Sequence, residues 1–274
     1  MSGLVIYTDL DGSLLDHHDY SHAPADRLLS ELEQAGVPVV PCTSKTRTEL
    51  LPIRTSLHNT HPFIVENGAG VFIPKGYFPC QPEGTEEKEG LWLKQFVQPH
   101  AHWLEAVERV RSRFKGKFTS FSDMSPDQIV TLTGLSHAEA QRAAQREFGE
   151  PVHWHGPDTE LDAFIQSLLQ QGARVLQGGR FLHVSGECDK GAALVWLHGI
   201  YRTHAGKNPV LSLAIGDSHN DIAMLEAAEH ALVIRSPVHA PPPLRRDRNV
   251  TLSTLTGPLG WDEGVRQILK KLSR

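Results

Sequence analysis

Apolar and polar positions along this chain follow two periods. Residues 4–8, LVIYT, form an unbroken run of strand formers, the pattern of a strand buried on both faces. Residues 25–36, ADRLLSELEQAG, repeat apolar side chains at helical spacing up to a closing glycine. VPVVPCTS (37–44) predicts a second strand, and TRTELLPIRTSL (46–57) a helix interrupted or bent near Pro52. PFIVENGAGVFI (62–73) predicts a third strand and a short hairpin turning on Gly68 and Gly70. Strand, helix, strand, helix, strand is the signature of a parallel sheet.

From residue 74 to 90 the texture changes to a Pro-, Gly- and Glu-rich stretch, which reads as a linker or mobile loop. Beyond it the pattern is mixed. SPDQ at Ser125 and SHAE at Ser136 both have capping-box spacing and open two short helices. VHWH, a helix over 159–171, and the strands ARVLQ and RFLHVS complete a small α+β segment. After SGECDKG the alternation returns, as AALVWLHGIY, PVLSLAIG, NDIAMLEAAE, HALVIR and a closing helix WDEGVRQILKKL. The expected organisation is one α/β core built from residues 1–83 and 187–274, with a second domain inserted at 84–186.

Composition narrows the function classes. With 39% apolar and 22% charged residues this is the make-up of an ordinary soluble protein, and a net charge of −5 argues against a nucleic-acid backbone binder. Arg245, Arg246 and Arg248 form the only dense basic cluster, expected to be a solvated loop. Cys42, Cys80 and Cys188 make no C-x-x-C pair, which fits a reducing, cytoplasmic setting. With Met1 leading almost directly into the first strand, no signal peptide is expected, and no apolar run is long enough to span a bilayer. Sixteen histidines invite a metal reading, above all HAH (100–102) and HWH (153–155). Neither pair has an obvious third ligand nearby.

Chemistry concentrates at predicted strand ends, where open α/β sheets place their sites. DLDGS follows the first strand, Thr43 and Ser44 end the second, and GDSHND (216–221) follows PVLSLAI, with Lys190 opening the helix after the insertion. Two carboxylates separated only by Leu10 repel and desolvate badly unless a cation or a shared proton joins them. Asp9, Asp11, Asp217 and Asp221 together form an all-oxygen set suited to Mg²⁺, with Lys190 and Thr43 as donors to a phosphate.

DLDGS, the strand-end TSK, the lysine of CDKG and GDSHND resemble, in order, the four motifs of the haloacid dehalogenase superfamily of phosphatases. The resemblance implies a Rossmann-like core with a parallel sheet and an inserted α+β cap of the Cof-like type. TSKT, VENGAGVFIP, the block FSDMSPDQIVTLTGLSHAEAQRAAQREFGEPVHW and GGRFLHV further resemble the mannosyl-3-phosphoglycerate phosphatase family over nearly the whole chain. Ser13 departs from the threonine commoner after D-x-D-G but keeps a hydroxyl. That family implies Asp9 as nucleophile, Asp11 as acid and base, and Thr43, Ser44 and Lys190 as phosphate ligands. Mg²⁺ would be held by Asp9, Asp11, Asp217 and Asp221. Its substrate would be mannosyl-3-phosphoglycerate, hydrolysed to mannosylglycerate and phosphate, with glucosyl-3-phosphoglycerate or another sugar phosphate as alternatives. Lys45, Arg146, Arg180, His183 and Asn220 are the expected substrate contacts, Arg180 for the glycerate carboxylate. Against these stand plainer readings: Arg146 with Glu147 as a surface ion pair, His183 as packing, Cys42 as strand filling, the tryptophans as core. A sensor that binds without turnover is disfavoured by the retained Asp9, Asp11, Lys190 and Asp217.

Overall fold

The structure, a computed structural model, describes residues 3–177 and 180–273. Gly178 and Gly179 of GGRFLHV lie outside the described residues. In chain order the elements begin with β1 (Gly3–Thr8), α1 (Asp26–Gln34), β2 (Val39–Pro41), α2 (Arg47–Ser56), β3 (Phe63–Val65), β4 (Gly70–Pro74), β5 (Glu86–Lys88) and β6 (Leu91–Gln95). They continue with α3 (His100–Arg111), β7 (Phe118–Ser120), α4 (Pro126–Thr133), α5 (His137–Ala143), β8 (Gly149–Trp154), α6 (Asp158–Leu169), β9 (Arg174–Gln177) and β10 (Leu182–Ser185). The last are α7 (Lys190–Ala205), β11 (Val210–Gly216), α8 (Ile222–Ala227), β12 (His230–Arg235), β13 (Val250–Thr256) and α9 (Gly257–Leu272).

The chain divides into two compact units: Met1–Ser44, Ile53–Lys94 and Asp189–Arg274 form the first, Lys45–Pro52 and Gln95–Cys188 the second. In the first unit five parallel strands pair in the order β13-β12-β11-β1-β2. β1 lies inside the sheet, between β11 and β2, and is buried from Leu4 to Thr8, so helices must cover both faces of the sheet. α9 packs on β12 and β13, while α7 and α8 pack together and reach β11. A second sheet, β3-β4-β6-β5, completes this unit. The expected third parallel strand is therefore only partly so: β3 makes a single parallel bridge, Cys42 to Ile64, and otherwise pairs antiparallel with β4.

The second unit holds the antiparallel sheet β7-β8-β10-β9. One face buries Val152, Leu182 and Val184 against Trp103, Val107 and Val110 of α3 and Phe164 and Leu168 of α6. Both capping boxes form, Ser125 with Gln128 and Ser136 with Glu139. Segment 45–52 is tied within this unit: Arg47 donates to Glu147 at 2.8 and 3.1 Å, and Thr46 Oγ1 donates to the Arg142 carbonyl at 3.1 Å.

Four elements differ from the sequence reading. α2 runs through Pro52 instead of breaking there. The linker read over 74–90 contains β5, which pairs with β6 as Glu86 to Leu93 and Lys88 to Leu91. HAH opens α3, where positions two apart point to different sides of the helix. β13 was not expected, because VTLSTLT carries a weak alternation with Leu252 and Leu255 exposed.

Candidate active site

The site grows out of the ends of β1 and β11. The amide of Asp9 donates to Ile215 O at 2.8 Å, continuing the ladder between these strands and fixing the Asp9 backbone. Thr8, which closes the run, donates to Asp9 O at 2.8 Å and accepts from Trp261 Nε1 at 3.0 Å. Past Asp11 the chain turns tightly, with Leu15 N donating to Leu10 O at 2.8 Å. Gly12 has φ +80°, and a Cβ there would stand 2.9 Å from Asp217 Oδ2. The glycine of D-x-D-G thus serves both the turn and the close approach of the Asp217 loop.

Lys190 is the first residue of α7, whose N-cap Asp189 accepts from Ala192 N at 2.8 Å. Its side chain is fully buried, and Nζ lies 2.6 Å from Asp9 Oδ1 and 2.7 Å from Asp221 Oδ1. The other Asp221 oxygen accepts from the amides of Asp217 and Ser218, each at 3.0 Å. One buried acid therefore anchors the lysine and shapes the loop that carries Asp217. Asp217 Oδ2 lies 3.3 Å from His239 Nε2.

Burial raises the Asp9 carboxyl well above its usual range, with Lys190 opposing it and Asp221 and Asp11 adding to it. Asp217 is raised by burial and then by Asp221. Burial works against the charge on Lys190, but Asp221 and Asp9 outweigh it and drive its pKa upward. Lys190 is accordingly an ammonium, and at 2.6 Å it draws Asp9 towards the ionised form that burial alone opposes. Asp9, Asp217 and Asp221 each offer an oxygen within 4.8 Å of the others. Three carboxyl groups this close around one ammonium make a cluster of oxygen donors, the chemistry a hard divalent cation satisfies.

Thr43 is buried at the end of the β2 segment, its amide donating to Ile64 O at 3.0 Å. Its carbonyl accepts from Asn67 N at 3.0 Å. Asn220, expected to read substrate, donates from Nδ2 to Asn67 Oδ1 at 3.0 Å. Asn67 was not singled out as functional, although an acid–Asn–Gly turn straight after a buried strand was a signal available in VENGAG. Cys42 is fully buried and burial raises its thiol pKa, in keeping with strand filling.

Lys45, Arg146, Arg180 and His183 belong to the second unit. Arg180 donates to the Leu132 carbonyl near the end of α4. His183 lies on β10 opposite Pro151, and burial, then Arg146, lower its pKa to about 4. Glu147 is engaged by Arg47. Trp154 stacks on Phe164 with centroids 4.9 Å apart, a core contact.

Comparison with known proteins gives the family. A family described as haloacid dehalogenase-like hydrolase matches residues 6–79. The chain is 32% identical over 272 residues to a glucosyl-3-phosphoglycerate/mannosyl-3-phosphoglycerate phosphatase of Methanococcoides burtonii, covering 97% of each chain. It is 33% identical over 277 residues to a protein of the same name from Persephonella marina, covering 99% of each. Its fold resembles the sucrose-phosphatase of Synechocystis sp. PCC6803, solved with sucrose and phosphate, at TM-score 0.62 and 14% identity over 100% of this chain and 99% of that one. It also resembles a haloacid dehalogenase-like hydrolase from Bacteroides thetaiotaomicron, at TM-score 0.64 and 16% identity over 98% and 99%. No helix among the described residues is long and apolar enough to cross a membrane. With a third of its residues shared over its whole length, this chain belongs to the glucosyl-3-phosphoglycerate/mannosyl-3-phosphoglycerate phosphatase family of haloacid dehalogenase-like hydrolases.

Proposed function

We propose that the protein hydrolyses the phosphate ester of mannosyl-3-phosphoglycerate, and of its glucosyl counterpart, through a phosphoryl group carried on Asp9. The observation that carries this reading is the buried contact of Asp9 with Lys190, 2.6 Å, beside Asp217 and Asp221. A carboxylate held by an ammonium keeps one orientation, and the ammonium has a further N–H to offer a phosphoryl oxygen.

In the first half-reaction an Asp9 oxygen bonds to phosphorus while the bond to the glycerate oxygen breaks, and Asp11 gives that oxygen its proton. In the second, Asp11 takes a proton from water, the water oxygen bonds to phosphorus, and the Asp9–phosphorus bond breaks to release phosphate. The Thr43 hydroxyl, Ser44 and Lys190 hold the phosphoryl oxygens throughout. Mg²⁺ fits the donor set: Asp9, Asp217 and the Asp11 carbonyl would hold it with Asp221 behind them, and when bound it neutralises charge on the transferring group. The second unit, with Lys45 and Arg146 as candidates, supplies specificity for the glycerate and sugar.

The names of the two full-length relatives support the substrate class. Phosphate release from mannosyl- and glucosyl-3-phosphoglycerate, 3-phosphoglycerate and mannose 6-phosphate tests it. Release should be fastest on the first two, and Asp9→Asn should lower it at least about a thousandfold while leaving the circular dichroism spectrum intact. Equal rates on all four esters would remove the substrate assignment. Turnover by Asp9→Asn near the wild-type rate would remove the nucleophile.

A further inference from the structure

The turn between β3 and β4 carries more backbone strain than joining two strands requires. Glu66 and Asn67 are consecutive non-glycine residues in the left-handed region, at φ +48° and +59°, and Gly68 follows at +96°. Glu66 is buried as well. Such conformations cost free energy and persist where surrounding contacts dictate them. Here the contacts lead to three separate strand-end segments. Asn67 N donates to Thr43 O at 3.0 Å, at the end of the β2 segment. Gly68 lies so close to the start of α7 that a Cβ would be 2.1 Å from Asp189 O and 2.9 Å from Lys190 N. Asn67 Oδ1 accepts from Asn220 Nδ2 at 3.0 Å, and Asn220 Oδ1 in turn accepts from Ser218 Oγ at 2.6 Å, on the loop between Asp217 and Asp221.

We propose that Asn67 is a positioning residue for phosphoryl transfer: its carboxamide, acting through Asn220, holds the Asp217–Asp221 loop in register with Thr43 and Lys190. This rests on the function proposed above. Asparagine suits the position twice, because it tolerates positive φ and because its amide oxygen reaches Asn220. A glycine would meet the first demand and fail the second. That separation makes the inference testable without unfolding the turn.

The experiment uses the whole enzyme with p-nitrophenyl phosphate, a simple ester that engages only the phosphate-handling groups. Asn67→Gly, Asn220→Ala and the double variant are compared for kcat, KM, melting temperature and the Mg²⁺ concentration giving half-maximal rate, with Mg²⁺ binding also read by calorimetry. Each single change should lower kcat about tenfold, the effect of one lost hydrogen bond. KM and melting temperature should hold, Mg²⁺ binding should weaken, and the double variant should be no slower than either single one, since both remove the same contact. Wild-type kcat in Asn67→Gly, or losses that multiply in the double variant, would overturn the positioning role. If Asn67→Gly fails to fold, Asn220→Ala carries the same test, and wild-type kcat and Mg²⁺ binding there would overturn it equally. If the unmodified enzyme released no p-nitrophenol or phosphate from any ester, the proposed function would fail and this inference with it.

Discussion

Two buried acids, one in each compact unit, are treated in opposite ways. Glu150 in the second unit has a fully buried side chain and is fully served: His100 Nε2 lies 2.5 Å away, and Ser122 donates from N at 2.9 Å and from Oγ at 3.1 Å. Asp217 in the first unit is also buried, yet its neighbours include a second carboxylate, Asp221, which with burial raises its pKa. An acid surrounded by donors serves the fold. An acid crowded by acids costs stability and is retained for what it binds or does.

The largest effect that could break this contrast is at the crowded acid. Asp217→Asn should raise the Mg²⁺ concentration for half-maximal activity at least about tenfold, and chelation by EDTA should abolish wild-type turnover until Mg²⁺ is returned. Its melting temperature without metal should stay level or rise, because the change relieves repulsion. A destabilised Asp217→Asn with an unchanged metal requirement would put it in the same class as Glu150. Glu150→Ala should do the reverse, costing about 3 kcal/mol in denaturant unfolding because His100 and Ser122 lose their acceptor.

A smaller effect follows from His183, whose pKa burial and then Arg146 lower to about 4. In the unfolded chain a histidine takes its proton near pH 6.5, so between the two values the unfolded state binds more protons. The contribution of neutral His183 is therefore complete above about pH 6.5 and is lost as the pH falls towards 4, by about 3 kcal/mol at most. The difference in stability between wild type and His183→Gln, followed over that range, isolates the effect, and a difference that does not change with pH would contradict it. Smallest is Arg180→Ala, which removes the bond to the Leu132 carbonyl and should cost about 1 kcal/mol. An equal fall in kcat/KM on mannosyl-3-phosphoglycerate and p-nitrophenyl phosphate marks Arg180 as scaffold, whereas a selective fall on the first marks it as a reader of the carboxylate.

The first unit was legible because its chemistry demands particular residue types at strand ends. LVIYT before DLDG could be little other than a buried strand ending in acids, and Asp9, Lys190, Asp217 and Asp221 do come together. The second unit yielded its helix caps, Ser125 and Ser136, since a capping box is written in four adjacent residues. What its side chains face was not legible. Arg47 meeting Glu147 and Arg180 meeting Leu132 are contacts between residues remote in sequence, and an arginine has the same local signature whether it binds a carbonyl, a carboxylate or water. β5 escaped notice because three residues lack a full period to recognise, and β13 because its alternation is weak, with Leu252 and Leu255 exposed.

The chain passes between its two units four times, at 44/45, 52/53, 94/95 and 188/189, and the first two crossings enclose only Lys45–Pro52. For anyone recombining parts of related phosphatases, the module to be exchanged is thus discontinuous. A graft of 95–188 alone would separate Arg47 from the Glu147 it pairs with, and Thr46 from the Arg142 carbonyl. Each foreign insert would have to arrive with its own short preceding peptide, and drift in either piece without the other is a route to incompatible hybrids.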